Sequence, residues 1–129
     1  MTTEQDLINF WKTGAADDLA TAETLYQNRK NGPALFFCHL ALEKGLKAYH
    51  VKAIKEQPLP IHDLLHLAKT SNLPLTQEQE SLLKEATTFN ISARYDNIKL
   101  AFHQKATNEY TKNYFGACRD FLLWLQPKI

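Results

Sequence analysis

Residues 33–51, PALFFCHLALEKGLKAYHV, decide the fold of this chain. At about 100° per residue, apolar and small side chains cover most of a helix built from this segment, and its polar stripe spans an arc of only about 80°. The stripe consists of His39, Glu43, Lys47 and His50. Because a helix that is apolar on so many sides must be buried on those sides, the segment predicts the central helix of an all-helical domain.

The polar stripe has two interpretations. Glu43 and Lys47 stand four residues apart, which on an exposed helix makes an ordinary ion pair worth about 0.3 kcal/mol. Alternatively, a helix packed on most sides places its polar stripe in a groove or at a contact between subunits. The residue pattern leaves both interpretations open.

The remaining sequence contains further helices. Apolar residues recur at steps of three and four, and prolines or short polar residues separate the runs. Thr2 or Thr3, with Gln5 three residues after Thr2, predicts the start of the first helix, and Thr76 with Gln79 predicts a capping box. We expect four long helices at about residues 2–31, 33–55, 76–90 and 105–127, and a short one at 62–71.

Two segments between these helices are predicted to be non-helical. Pro58 and Pro60 lie in residues 56–61, and a residue that precedes a proline avoids the helical conformation, so this segment is an extended loop. Residues 90–103 lack a clean helical face and are expected to form an ordered connection. The elements predict an all-α fold: an antiparallel up-and-down bundle of four long helices plus a short helix, in a single domain of residues 1–129.

Composition narrows the function classes. Fifteen Lys and Arg residues against fourteen Asp and Glu residues give a formal net charge of +1, which lacks the broad basic field of proteins that bind duplex nucleic acid. Cys38 and Cys118 lie in apolar helical patterns and are expected to be buried thiols rather than a disulfide. No signal-peptide pattern and no apolar run of about twenty residues is found, so we expect a cytoplasmic protein without membrane contact and without a cofactor.

Three segments resemble motifs of the HEPN domain family. Residues 36–48, FFCHLALEKGLKA, resemble the family's signature helix. HDL at residues 62–64 follows the proline loop, and ARYD at residues 93–96 precedes the last helix, in the order expected of the family. The resemblance covers residues 5–126, and three ordered motifs in helical context are a fairly specific signal.

The resemblance implies a bundle of four or five helices that commonly forms a homodimer. Many members of the family are encoded beside small nucleotidyltransferases, and members are proposed to bind nucleotides or RNA. The resemblance therefore favours a non-catalytic nucleotide- or RNA-binding module that works with a nucleotidyltransferase partner. Its ligand residues would be Glu43, Lys47, Arg94, Tyr95 and Asp96. A purely structural homodimeric interaction domain is an alternative.

Some family members are metal-independent, toxin-like ribonucleases, which use an arginine followed after four to six residues by a histidine. Here eight residues separate Arg94 from His103. In this alternative, Arg94 would stabilise the developing phosphorane charge and His103 would act as the general base. Because residues nine apart on a continuous helix face opposite sides, catalysis would require a bent connection or a dimer.

The Arg94-Tyr95-Asp96 motif itself has a ligand interpretation and a structural one. Arg94 offers a planar guanidinium for bidentate contact with phosphate, and Tyr95 stacks on a base or covers the core. Asp96 holds Arg94 in position, or pairs with Lys47 or Lys99. In the structural interpretation the motif is an ion-pair clasp between helices.

The secondary ligand candidates are polar residues in or near these motifs: His39, Lys44, His62, Asp63 and Lys99. His62 and His66 stand four residues apart, a spacing that suits a metal, but no third ligand is evident nearby and we expect no metal site. His62 or Asp63 is expected instead to cap the short helix.

Overall fold

The computed structural model describes residues 1–91 and 94–129, and these residues form six α-helices and one 3-10 helix. In chain order the elements are α1 (Glu4–Gln27), α2 (Asn31–Ile54), α3 (Leu64–Thr70), α4 (Gln77–Thr87), α5 (Asp96–Lys105), α6 (Asn108–Leu125) and the 3-10 helix (Gln126–Lys128). The described residues contain no strand. The prediction of an all-α fold is confirmed.

Helix α2 lies at the centre of the bundle. It contacts each of the other five helices, and Leu35, Leu42 and Leu46 on it are fully buried. Apolar side chains around most of its circumference explain this position, since each apolar face needs a neighbour to cover it. Cys38 on α2 and Cys118 on α6 are free and fully buried, as predicted.

The four longest helices alternate in direction. Lys55, at the end of α2, pairs with Glu4, the first residue of α1, at 3.3 Å, so these helices are antiparallel. Asn31 and Asn108, the first residues of α2 and α6, bond each other at 2.8 Å, so α6 runs in the same direction as α2. Glu85, in the last turn of α4, bonds the first turn of α6. Helices α1, α2, α4 and α6 therefore form the predicted up-and-down bundle.

Side-chain caps fix where α3 and α4 begin. The Thr76 hydroxyl accepts from the Gln79 backbone N–H, and the Gln79 side chain accepts from the Thr76 backbone N–H, so the predicted capping box is confirmed. Asp63, and not His62, caps α3 by accepting from the His66 backbone N–H at 3.0 Å. Helix α3 is accordingly shorter than predicted and begins after both candidates.

One of the two predicted caps of α1 is confirmed. Thr3, rather than Thr2, is the N-cap, and its capping-box partner is Asp6 rather than Gln5. Both backbone N–H groups that the box satisfies would otherwise lack a partner at the helix end. The apolar face of α1 lies toward the bundle.

The connection predicted for residues 90–103 is wrong, because the chain forms helix α5 from Asp96. Phe102 is the only residue of this helix that is buried, and its ring lies 5.9 Å from that of Phe89. In the sequence Ile98, Leu100 and Phe102 alternate instead of marking one helical face, so the periodicity rule did not detect this helix. Helix α6 accordingly starts later than predicted, at Asn108, capped by Thr107.

Among residues 1–91 and 94–129, none of the helices combines the length and hydropathy that crossing a bilayer requires.

Truncation of Leu42 tests the central role of α2. Leu42 is fully buried, so Leu42→Ala is expected to lower the free energy of unfolding by about 2–5 kcal/mol through lost burial and a cavity. Leu123 is 60% exposed and is the matched control, for which Leu123→Ala should change this free energy by less than about 0.5 kcal/mol. Urea titration followed by circular dichroism measures both. Equal losses would contradict the assignment of α2 as the core helix.

Candidate functional site

Glu43 is the centre of a buried polar cluster on α2. Only 6% of the residue is exposed, yet each carboxylate oxygen has a donor. Lys47 Nζ donates to Oε2 at 3.1 Å, and His62 Nδ1–H donates to Oε1 at 2.7 Å. These two bonds replace the water that burial removes from the carboxylate. The interpretation of Glu43 and Lys47 as an ordinary exposed pair is therefore wrong.

The proline loop covers this cluster. Helix α2 ends at Lys55, whose φ of 64° turns the chain out of the helix, and His62 returns to lie against the middle of α2. The fully buried His39 ring donates Nε2–H to the backbone carbonyl of His62 at 3.0 Å. Because both the ring and the backbone of His62 bond α2, the end of the loop is fixed at two points.

The His39 imidazole is neutral in this environment. Burial lowers the pKa of His39, and the hydrogen bond to the His62 carbonyl and the charge of Glu43 oppose that shift only in part. With Nε2 protonated for its bond to His62, Nδ1 is left as an acceptor. This buried Nδ1 has no hydrogen-bond partner among the described residues.

Helix α1 encloses the other side of the cluster. The ring of Trp11 lies with its centroid 5.0 Å from Lys47 Nζ, a distance at which a cation and an aromatic face attract each other. Lys47 is consequently only 8% exposed. The sequence did not identify Trp11 as part of this cluster, because no local pattern links it to Lys47, 36 residues later in the chain.

The remaining polar residues of α2 also bond neighbouring helices. Lys44 Nζ pairs with Asp18 on α1 at 2.7 Å, and its stem crosses Gly14 so closely that a Cβ there would lie 2.9 Å from Lys44 Cδ. His50 lies 3.4 Å from the Thr70 hydroxyl of α3, and burial lowers the pKa of His50. These contacts tie α2 to α1 and α3.

The Arg94-Tyr95-Asp96 motif lies on a separate surface at the start of α5. Arg94 Nε donates to the Asn90 carbonyl at 3.3 Å, which leaves the terminal nitrogens of the guanidinium available. Tyr95 is 81% exposed, so its ring does not cover the core. Ala93, the first residue of this motif, lies outside the described residues.

The predicted meeting of this motif with Glu43 and Lys47 does not occur. In the described part of the chain, no ion pair joins Arg94 or Asp96 to Glu43, Lys47 or Lys99. The second partner of the Glu43 carboxylate is His62, which the proline loop supplies, and not Arg94.

A cleft of about 280 Å³ lies between α5 and the end of α4, with Arg94 and Lys105 among its lining residues. Ile98 and Phe102 contribute apolar surface to the same cleft. Lys105 also donates to Glu85 of α4, which anchors the last turn of α5. The cleft therefore combines an apolar wall with the Arg94 guanidinium, an arrangement suited to a flat apolar ring that carries an anion.

His103 and Lys99 are exposed residues of α5. His103 is in the last turn, whereas Arg94 precedes the first turn. At 1.5 Å per residue, the start of α5 and His103 are about 10 Å apart along the helix axis. Arg94 and His103 therefore flank α5 rather than share one turn.

The described residues contain no group of three His, Cys, Asp or Glu side chains positioned to bind a metal ion. His66 is in the first turn of α3 and His62 precedes that helix, so the two are not on one helical face as the spacing had suggested. The Nδ1 atom of His62 is engaged with Glu43, and Asp63 caps α3.

Comparison with known proteins gives one family and one solved structure. Residues 8–128 match the model of the HEPN domain. The crystal structure of TT1696 from Thermus thermophilus has a TM-score of 0.78 with this chain, at 18% identity, and the match covers 100% of both chains. At that identity the similarity concerns the fold. No curated protein matches the sequence.

Loss of the Glu43 charge tests the buried pair. Glu43→Gln keeps the side-chain shape but leaves Lys47 buried without its counter-ion, so we expect the free energy of unfolding to fall by about 3–5 kcal/mol. The control is Glu4→Gln, which removes the exposed pair with Lys55 and should cost less than about 1 kcal/mol. Adding Lys47→Met to Glu43→Gln should recover part of the loss. Equal effects of the two Glu→Gln variants would refute the buried-pair assignment.

Stability should fall as the pH is lowered through the histidine range. Burial holds the pKa of His39 below the unfolded value of about 6.5, so the unfolded state binds more protons in the interval between them. The stability from this group is thus complete above about pH 7 and is lost progressively as the pH falls below the unfolded pKa, and His50, whose pKa is also lowered by burial, contributes in the same direction. In urea titrations at each pH, the free energy of unfolding should depend less steeply on pH in His39→Gln than in the unchanged protein. If the pH dependence of the free energy of unfolding were unchanged in His39→Gln, the assignment of His39 as a buried, neutral imidazole would be wrong.

Proposed function

The chain belongs to the HEPN family, and from this premise we propose that it is a non-catalytic module that binds a nucleotide or single-stranded RNA and acts with a partner protein. One observation carries the proposal: Arg94 and Tyr95 are adjacent and exposed at the start of α5. Arg94 has no acidic partner among the described residues. A guanidinium free of ion pairs next to an exposed aromatic ring can bind a phosphate and stack on the neighbouring base.

The cleft beside α5 supports this assignment. Its apolar wall at Ile98 and Phe102 offers a surface to a nucleobase, whereas the charge of Lys105 is already paired with Glu85. Lys99 extends the cationic character along the exposed helix. Affinity would come from this local group, which is consistent with the formal net charge of +1 for the whole chain.

Glu43 and Lys47 have a different part in this proposal from the one predicted. Both are buried and bonded to each other, and a ligand would reach them only if Trp11 or His62 moved. We therefore propose that they hold the proline loop and α1 in place. The ligand residues of the proposal are Arg94 and Tyr95, with Asp96, Lys99 and Lys105 beside them.

The proposed partners are a second copy of the chain and a small nucleotidyltransferase. Leu100 of α5 is 58% exposed and lies about 200° around the helix from the buried Phe102, so it points away from the bundle. An apolar side chain in that position supports a protein contact on the outer face of α5. Membership of the HEPN family supports both partners, because such proteins commonly form homodimers and many are encoded beside small nucleotidyltransferases.

The ligand assignment is tested with the guanidinium of Arg94. Fluorescence anisotropy with a short labelled single-stranded RNA, and calorimetric titration with ATP, should show at least about tenfold weaker binding for Arg94→Ala, because charge-assisted hydrogen bonds contribute about 1.5–3 kcal/mol. Arg94→Lys should bind with intermediate affinity, since lysine keeps the charge and loses the bidentate geometry. Arg119→Ala removes the same charge from α6 and should leave binding unchanged.

Two results would reject the proposal. If neither RNA nor ATP binds at millimolar concentration, the structural interaction domain is the better assignment. If RNA is cleaved in the presence of a chelator, and His103→Ala abolishes that cleavage, the toxin-like ribonuclease of Arg94 and His103 replaces it.

A further inference from the structure

A second cleft, of about 360 Å³, lies on another part of the molecule between α1 and α6. Its walls come from residues such as Ala16 and Leu19 of α1 and Leu122 of α6, and Gly45 of α2 forms part of its floor. The volume falls within the range of small-molecule sites, which is about 300–1,000 Å³. None of the residues of the α5 surface lines it.

Small residues create this cleft. At Gly45, an added Cβ would lie only 2.7 Å from Leu122 Cδ2, so α6 packs directly against the backbone of α2. Ala16 is an exposed residue of α1 with a short side chain that does not fill the space beside it. Helices α1 and α6 both pack on α2, and an open groove with a mostly apolar lining remains between them.

The charges around the groove have one sign. Lys12 of α1 and Arg119 of α6 line it, and no Asp or Glu side chain does. Arg119 is engaged with Asp120 at 3.4 Å, whereas Lys12 has no ion pair among the described residues. Lys12 is therefore the cation available to a ligand.

The direction of the helices places Lys12 at one end of the groove. Tyr26, near the end of α1, stacks on Phe115 in the first half of α6, so the two helices are antiparallel. Lys12 consequently lies toward the end of α6, near Gln126, which also lines the groove. From residue 12 to residue 19 the wall formed by α1 extends about 10 Å.

We propose that this groove binds a free medium-chain carboxylic acid. The aliphatic chain lies along Ala16 and Leu19 over Gly45, and the carboxylate pairs with Lys12 at the end of the groove. An apolar groove about 10 Å long with one unpaired cation at its end matches an amphiphile with a single anionic head. The aliphatic chain of the acid gains free energy from apolar burial, and Lys12 selects a ligand with an anionic head.

Calorimetric titration with decanoate tests the proposal. We expect saturable binding of one decanoate per chain, with weaker binding of butyrate, which lacks the chain, and of decylamine, which carries the opposite charge. Ala16→Leu fills the groove at an exposed helical position and should weaken decanoate binding at least about tenfold, equivalent to about 1.4 kcal/mol. Ala20→Leu, at another exposed position of α1 outside the groove, is the matched control and should bind normally.

Charge variants complete the test. Lys12→Ala should weaken decanoate binding and remove the preference over decylamine, and Arg94→Ala should leave it unchanged, which separates this site from the nucleotide or RNA site. Equal affinities for decanoate and decylamine, or equal affinities of the Ala16→Leu and Ala20→Leu variants, would overturn the proposal.

Two other occupants are distinguished by further measurements. Cosedimentation with phosphatidylglycerol vesicles that Ala16→Leu abolishes, without decanoate binding, would assign the groove to a membrane surface. A dimer in sedimentation experiments that Ala16→Leu dissociates, again without decanoate binding, would assign it to a second copy of the chain. Either result would overturn the proposal of a free acid.

Discussion

A carboxylate inside a protein needs hydrogen-bond donors, and Glu43 takes its two from different parts of the chain. Lys47 lies one turn away on the same helix, whereas His62 arrives from the far end of the proline loop. If His62 were absent, one oxygen of a buried charged group would lack a partner, so the loop must lie against α2 in the folded state. The position of the loop then sets where α3 begins, and the Leu64 backbone N–H bonds Thr87 of α4. The positions of the proline loop, α3 and the end of α4 around α2 are therefore linked to the Glu43 carboxylate.

The parts of the fold that depend on local information could be predicted from the sequence. The apolar circumference of α2 predicts its central position, and the capping box of Thr76 and Gln79 predicts the start of α4. Helix α5 could not be predicted in the same way, because Ile98, Leu100 and Phe102 alternate along the sequence and do not mark one helical face.

The same distinction between local and tertiary information applies to the candidate site residues. The spacing of Glu43 and Lys47 revealed that they pair, but their burial depends on Trp11 and on His62, which are distant in sequence. Motif resemblance selected Arg94 and Tyr95 as ligand residues, and their exposure agrees with a role at a surface. Resemblance could not say that they belong to a different region from Glu43, since that separation depends on how α5 packs. The residues predicted as one site thus divide into a buried pair, Glu43 and Lys47, and an exposed pair, Arg94 and Tyr95.

Helix α5 is attached to the bundle mainly through Phe102, with Lys105 bonded to Glu85 at its end. Substitutions at exposed positions usually change stability by less than about 0.5 kcal/mol, so most of α5 is free to vary without loss of the fold. The scaffold around Glu43 has no such freedom, because each of its polar groups depends on another. Related chains can therefore differ widely in the exposed residues of α5 while the buried cluster and the architecture stay the same.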